Sequence, residues 1–492
     1  MDLSREPARL VELLPDNWAH HGALYRGLAD ALARLIDEDD LVPDARLPSE
    51  RGLAAALSVS RSTVVAAYDE LRAAGVLVSR RGSGTRVVRQ AGGGRSRPDH
   101  RLLRGAADSV FARLSQGPGS VISLAYAADA GAPELVDALQ EVMAQDLPHL
   151  LEGAGYHPRG LPGLRERIAA HLTGLGLPTA PEAVVVTTGA HQAIALAARM
   201  YLRAGSTVVV ESPSWPGCFD LFSGLGARVV GVPLDEEGMR PDLLAATLDE
   251  CRPDLLFVMP CYHNPTGRLM SAARRRRIVE LAGRHGVVVI EDLAYSGRLG
   301  PAAELPPPMS AFAAPDDEVL TIGSLSKSVW GGLRVGWVRA DVPVAARLAR
   351  HKALADLGTP ALDQAIAARL LPRLAELEHT RAQSAARRLR HLTGLLAGSV
   401  PDWRWDPPDG GSALWIELPG VDARVFAQVA LRHGVEVVPG RATDPSGRHD
   451  TYIRLPFTYP VDVLTEAVGR LARAWADLRR HGPTPGGSEL LV

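Results

Sequence analysis

Seven short apolar runs rich in Val, Ile and Leu, spaced by helix-length segments, limit what residues 183–340 can fold into more than any other feature of the chain. They are AVVVTTG at 183–189, STVVVESP at 206–213, ARVVGVPL at 227–234, DLLFVMP at 254–260, GVVVIEDLAY at 286–295, EVLTIGSLSK at 318–327 and RVGWVRA at 334–340. A strand that is apolar at successive positions, and not at every second one, is buried on both faces. Such strands belong to mainly parallel sheets covered by helices. Ligands of open α/β sheets bind outside the carboxyl ends of the strands, so the residues that close each run are where chemistry is expected.

The first ninety residues follow another pattern. Leu24, Leu28, Leu32 and Leu35 recur at helical spacing and lead to the acidic run Asp37–Asp40. A short helix then carries Leu53 and Leu57, a tight turn follows at Ser58–Ser60, and a third helix starts with Ser60 as N-cap and stops at Gly75. VLVSRRGSGTRVV reads as two short strands joined by a Gly-rich hairpin. Helix, helix-turn-helix and two-stranded wing make a small domain over 1–89, although residues 1–20 carry little pattern. Residues 90–119, rich in Gly and Arg, read as a partly flexible linker. Residues 120–480 form the second domain, with a smaller C-terminal lobe from about residue 375 that includes ALWIELP, and 481–492 is expected to be a disordered tail.

Composition sharpens the functional reading. With 46% apolar residues and a formal net charge of −2, the chain is globular, and any nucleic-acid surface has to be local. Residues 41–90 supply one, with eight arginines against four acids. No run approaches the roughly 18 to 20 apolar residues of a membrane span, and MDLSREPARL lacks a signal-peptide core. A cytoplasmic protein without membrane contact is expected. Cys218, Cys251 and Cys261 have no metal-ligand spacing, so they are expected to be reduced and metal-free. Of the 54 basic residues only Lys327 and Lys352 are lysines, so chemistry that needs an amine has two candidates.

Pyridoxal phosphate requires a lysine for its imine, an acid at the pyridine nitrogen, a donor to the 3′-oxygen, an aromatic cover and a phosphate cup. Lys327, in SLSK, emerges at a strand end, whereas Lys352, in RLARHKALADLG, reads as a solvated helix residue. Asp292 closes GVVVIED, where a carboxylate keeps the pyridine nitrogen protonated. Tyr295 and Asn264, the latter in HNPTG, can both donate to the 3′-oxygen, and Trp215 in SPSWPG suits the flat cover. Gly189 and Ala190 open a helix whose amides and dipole favour an anion, with Ser324, Ser326 and Arg334 as side-chain donors. Singly each has an ordinary structural role. Together, at the ends of successive strands, they form a set.

Two resemblances give these patterns family context. LPSERGLAAALSVSRSTVVAAYDELRAAGVLVSRRGSGTRV resembles the winged helix of GntR-family regulators over its whole length. That resemblance implies DNA contacts by Arg51, Ser60, Arg61, Ser62 and Thr63, with Arg81 and Gly82 on the wing; Val65 departs from relatives that carry a further arginine there. Read without it, the segment would also suit a helical oligomerisation domain. Residues 120–480 resemble the fold-type I, class I aminotransferases. By that likeness Lys327 is the internal aldimine lysine, Asp292 the pyridinium partner, Asn264 and Tyr295 the 3′-oxygen donors and Trp215 the stacking residue. Arg454, in TYIRLPF, matches the arginine for a substrate carboxylate, and Tyr156, in GYHPRGLPGLR, the tyrosine that reaches the neighbouring subunit's phosphate. The two halves together resemble MocR-type regulators. This implies a homodimer, with DNA-binding heads that can be swapped, which binds operator DNA and senses a small amine, an amino acid or the cofactor. The alternatives are a working aminotransferase with a DNA-binding head, and a body kept only for dimerisation.

Overall fold

The computed structural model describes residues 7–14, 18, 24–37, 41, 45–73, 77–80, 84–87, 121–127, 129–294, 299, 305–444 and 446–481. Contacts divide the chain into two compact units, Met1–Asp99 and His100–Val492. The expected linker at 90–119 lies outside the described residues, as does the tail from residue 482; His481, assigned to that tail, ends the last helix.

In the first unit the helices Leu24–Asp37, Glu50–Leu57 and Arg61–Ala73 pack around Leu28, Leu32, Leu53, Val64 and Tyr68, all fully buried. Their ends are set by local chemistry. Ser49 caps the second of these helices by accepting from Gly52 N at 3.1 Å, and Ser58 closes it in the left-handed conformation, φ 55°. Ser60 Oγ accepts from Thr63 N at 3.1 Å, as an N-cap should. Strands Leu77–Arg80 and Gly84–Val87 form the antiparallel hairpin, which Arg46 extends by a bridge to Arg86. The sequence reading missed a helix at Pro7–Leu13, whose Leu10 is fully buried in this core; seven residues are too few for a periodic signal.

All seven apolar runs of the second unit become strands of one eight-stranded sheet, completed by the short strand Gly238–Met239. From one edge the order is Val184–Thr187, Gly336–Arg339, Val319–Ser324, Val288–Asp292, Leu255–Val258, Thr207–Ser212, Arg228–Asp235 and Gly238–Met239. The five strands from Val319–Ser324 to Arg228–Asp235 are mutually parallel, while Gly336–Arg339 runs antiparallel to both neighbours. Separate apolar clusters cover the two faces, around Phe222 and Phe257 on one and around Ile278 and Val258 on the other. The smaller lobe has a four-stranded sheet in which Ala413–Glu417 pairs with Tyr452–Pro456, packed on the helices Leu374–Ser399, Ala423–Arg432 and Val461–His481.

That lobe also takes in the start of the body. Ile122–Ser123 pairs with Val435–Glu436, and Leu124 is buried in the lobe's core. The segment then runs towards the large sheet, and its next carbonyls, those of Ala125 and Ala127, accept hydrogen bonds from Arg454 and Lys327.

One expectation is corrected here. Lys352 is not solvated but fully buried, bonded through Nζ to Asp356 and Gln192. On the helix Val342–Asp356 the buried residues are Ala345, Leu348, Ala349 and Lys352, a stripe with the i, i+3, i+4, i+7 spacing of a core-facing side. The partner one turn on, Asp356, makes burial of the ammonium tolerable.

Candidate functional site

The strand ends converge as the sequence pattern requires. Lys327 follows Val319–Ser324 and donates from Nζ to the Ala127 carbonyl at 2.6 Å. Asp292 ends the adjacent parallel strand, pairs in register with Ile322, and is 6% exposed. Its Oδ1 accepts from Ala294 N at 2.8 Å. Burial pushes the carboxyl up to about 6, against the opposing pull of that hydrogen bond and of the Lys327 charge. Asn264, 5% exposed, stands beyond the next strand, Leu255–Val258. Trp215 follows Thr207–Ser212, caps the helix Pro216–Gly224 and meets His191 edge-on at 5.5 Å. Tyr295 lies outside the described residues, as do Arg81 and Gly82 of the wing.

The groups assigned to a phosphate cup are brought together. Arg334, itself left-handed at φ 51°, donates from Nη1 to Ser326 Oγ at 3.2 Å and from Nη2 to the Thr188 carbonyl at 3.0 Å. Ser324 Oγ lies 3.0 Å from Ser326 Oγ and accepts from Ser326 N at 3.1 Å. Gly189 opens the helix Gly189–Tyr201 with φ 76°, and a Cβ there would lie 2.4 Å from Arg334 Nη2. Glycine there leaves room for the guanidinium beside the start of the helix, whose next residue is Ala190. Gly189→Ala is expected to push Arg334 aside and weaken cofactor retention about tenfold or more, read by equilibrium titration of visible absorbance.

Arg454 is 5% exposed on Tyr452–Pro456, with Nη1 on the Ala125 carbonyl at 3.1 Å and no hydrogen-bond partner for its buried Nε. A buried guanidinium with donor capacity to spare is what a carboxylate ligand would satisfy. The donor set, the glycine cradle and the buried acid all fit pyridoxal phosphate. Tyr156 is 68% exposed within the single chain and does not join this cluster.

Two buried groups that the sequence reading passed over lie at strand ends of the same sheet. Glu211, fully buried near the end of its strand, accepts from Met259 N at 2.7 Å and faces His263 Nε2 at 3.5 Å. Burial pushes Glu211 up to about 8 and His263 down to about 3, so the pair is neutral near pH 7. A charged residue inside the run VVVES was the available signal. Because the folded-state pKa of Glu211 is raised, its contribution to stability is full below its ordinary value of 4.5 and is lost as pH rises through about 8. Glu211→Gln is therefore expected to flatten that decline, gaining about 2 to 4 kcal/mol relative to the parent between about pH 5 and about pH 9. Denaturant midpoints across that window check the sign.

In the first unit, Arg51, Arg61 and Ser62 are exposed, and Arg61, Ser62 and Thr63 form the first turn of the helix Arg61–Ala73. The Ser60 hydroxyl is 2.8 Å from that of Ser62 and 2.7 Å from that of Thr63, so the three hydroxyls form one polar cluster at the helix mouth.

Among the described residues no helix is long and apolar enough to cross a membrane. Comparison with known proteins matches residues 24–87 to the family of bacterial regulatory proteins named gntR, and residues 128–471 to the aminotransferases of class I and II, whose cofactor is pyridoxal phosphate. The uncharacterized HTH-type transcriptional regulator YisV of Bacillus subtilis is 31% identical over 89% of this chain and 92% of its own. The pyridoxine biosynthesis transcriptional regulator PdxR of Corynebacterium glutamicum is 30% identical over 78% of this chain and 81% of its own. Among solved structures, the α-aminoadipate aminotransferase LysN of Thermus thermophilus, complexed with N-(5′-phosphopyridoxyl)-L-leucine, superposes with a TM-score of 0.68 at 30% identity, over 77% of this chain and 96% of that one. A gntR-type head on a class I and II aminotransferase body, shared almost end to end with HTH-type regulators, places the chain in the MocR-type transcription regulators of the GntR family.

Proposed function

We propose that this regulator binds pyridoxal phosphate in its body and uses the site to sense a small amine, an amino acid or the cofactor, changing how its heads engage operator DNA. The observation that carries the reading is the convergence of Lys327, Asp292 and the Gly189–Ser326–Arg334 cup at neighbouring strand ends. Lys327 is the attachment point, and its amine leaves the Ala127 carbonyl when it is used. Asp292 holds a proton on the pyridine nitrogen; a cation at that position restores to the buried carboxylate the charge that desolvation disfavours. Asn264 and Tyr295 donate to the 3′-oxygen, Trp215 covers the ring, and Gly189, Ala190, Ser324, Ser326 and Arg334 hold the phosphate. When bound, the cofactor supplies an aldehyde carbon that condenses with primary amines. Arg454 takes the carboxylate of the effector, for which its buried Nε is open. Exposed Tyr156 serves the partner's site in a homodimer. Residues 1–89 form the head, 90–119 the linker, and Arg51, Ser60, Arg61, Ser62, Thr63, Arg81 and Gly82 the DNA contacts. A protein acting on operator DNA works in the cytoplasm.

An effector changes DNA affinity only by its differential binding to two states, and such couplings are typically about 1 to 3 kcal/mol. The right amine is therefore expected to shift operator affinity by about 5 to 150 fold, and DNA to shift amine affinity by the same factor. Titrating candidate amines against labelled DNA from upstream of the protein's own gene tests this, with Arg454→Ala as control. The buried Arg454, with donor capacity to spare, also favours a second reading, a working aminotransferase with a DNA-binding head. Rapid transamination with no amine altering DNA affinity would establish that reading instead.

A further inference from the structure

We propose that Lys352 is a positioning residue for the phosphate cup, fixing residues 188–190 through Gln192; this rests on the reading of the body as a pyridoxal-phosphate site. Lys352 Nζ donates to Asp356 Oδ1 and Oδ2 at 3.0 and 2.8 Å and to Gln192 Oε1 at 2.8 Å. The same Gln192 oxygen accepts from Thr188 N at 2.8 Å, while Gln192 Nε2 donates to Asp356 Oδ2 at 2.5 Å. The amide is thus clamped at both ends, and its oxygen is polarised by a cation.

Thr188 sits between two fixed points. Its N–H is held by Gln192 and its carbonyl by Arg334 Nη2 at 3.0 Å. The next residue, Gly189, has no room to slide, because the guanidinium already occupies the place of a side chain. A helix N-terminus serves an anion only when its free amides point at the anion. Gln192 sets the peptide plane from which those amides start, and Lys352 sets Gln192. On its other side the Lys352–Asp356 pair holds Gly358 N at 3.0 Å, which ties the start of the following loop to the same cluster. An ammonium suits the position: its three donors are compact, and the three bonds to Asp356 and Gln192 take them up.

A cup-positioning role and a purely structural role differ in which ligand they affect. Full-length protein stripped of cofactor is titrated with pyridoxal 5′-phosphate and with pyridoxal, which has the same ring and aldehyde but no phosphate, following visible absorbance. Lys352→Met is expected to weaken pyridoxal phosphate about tenfold and to leave pyridoxal unchanged. Gln192→Leu, which keeps the Lys352–Asp356 pair, is expected to do the same, and it decides alone if Lys352→Met does not fold. Equal losses for both ligands, or no loss for either in folded variants, overturn the proposal. A parent protein with no preference for pyridoxal phosphate over pyridoxal would instead overturn the phosphate-cup reading on which it rests.

Discussion

Lys327→Ala protein is expected to show no protein imine band at any cofactor concentration that saturates the parent. The chain has two lysines, and the structure removes one from consideration: the Lys352 amine is fully buried, inside a helix-to-helix cluster with Asp356 and Gln192. Lys327 is part-buried just past a strand end, next to Ser326, with its ammonium on the Ala127 carbonyl. Loss of the amine removes the covalent attachment outright, so the effect is all or none in the imine band, after cofactor that is not attached has been removed by gel filtration. Lys352→Met at saturating cofactor should keep the band. A normal band in the Lys327 variant would reject the assignment, and mass analysis of the borohydride-reduced parent locates the modified peptide independently.

Arg61→Ala is expected to flatten sequence preference at the operator while retaining most of the non-specific affinity. Arg61 is exposed on the first turn of the helix Arg61–Ala73, the end of a recognition helix that meets base edges. A bidentate arginine contact to a guanine is worth about 1 to 3 kcal/mol of discrimination. Arg51 is the second residue of the preceding helix; if it contacts phosphate in the same docking, Arg51→Ala should weaken binding across sequences and reduce the salt slope by about one. Competition footprints on matched and scrambled duplexes at several salt concentrations separate the two effects. Unchanged preference after Arg61→Ala would count against this docking.

Much of this architecture was legible in the sequence because burial on both faces leaves an unmistakable run. Val184, Val185 and Val186 are all fully buried, as are Val208, Val209 and Val210. Strand direction was less legible. Gly336–Arg339 carries the same kind of run as its neighbours yet returns antiparallel, because its connection from Ser324 passes through the cup and not through a crossover helix. Lys352 was readable and was misread. Its spacing from Ala345, Leu348 and Ala349 marks the core stripe, but a lone lysine among arginines in a helix suggested a solvated face. Glu211 was hidden by its context, since the hydrogen bond to Met259 N and the contact with His263 come from another strand end. The lobe assignment of residues 122–124 had no local signal at all. Their partners lie some three hundred positions further along the chain, and pairing over such separations is set by the tertiary fold.

That early pairing fixes the first described segment of the body. It is stitched into the small lobe, by Ile122 N on the Gly434 carbonyl at 2.9 Å and Tyr459 Oη on the Ser123 carbonyl at 2.7 Å. Four residues later it has passed both the guanidinium of Arg454 and the ammonium of Lys327, lending each a carbonyl. A ligand that takes Lys327 must draw its ammonium off that strap, whereas Arg454 can keep its bond to Ala125 and offer Nε. The first strand of the body and the two cations of the candidate pocket thus lie on one short segment, residues 122–127, and share its carbonyls.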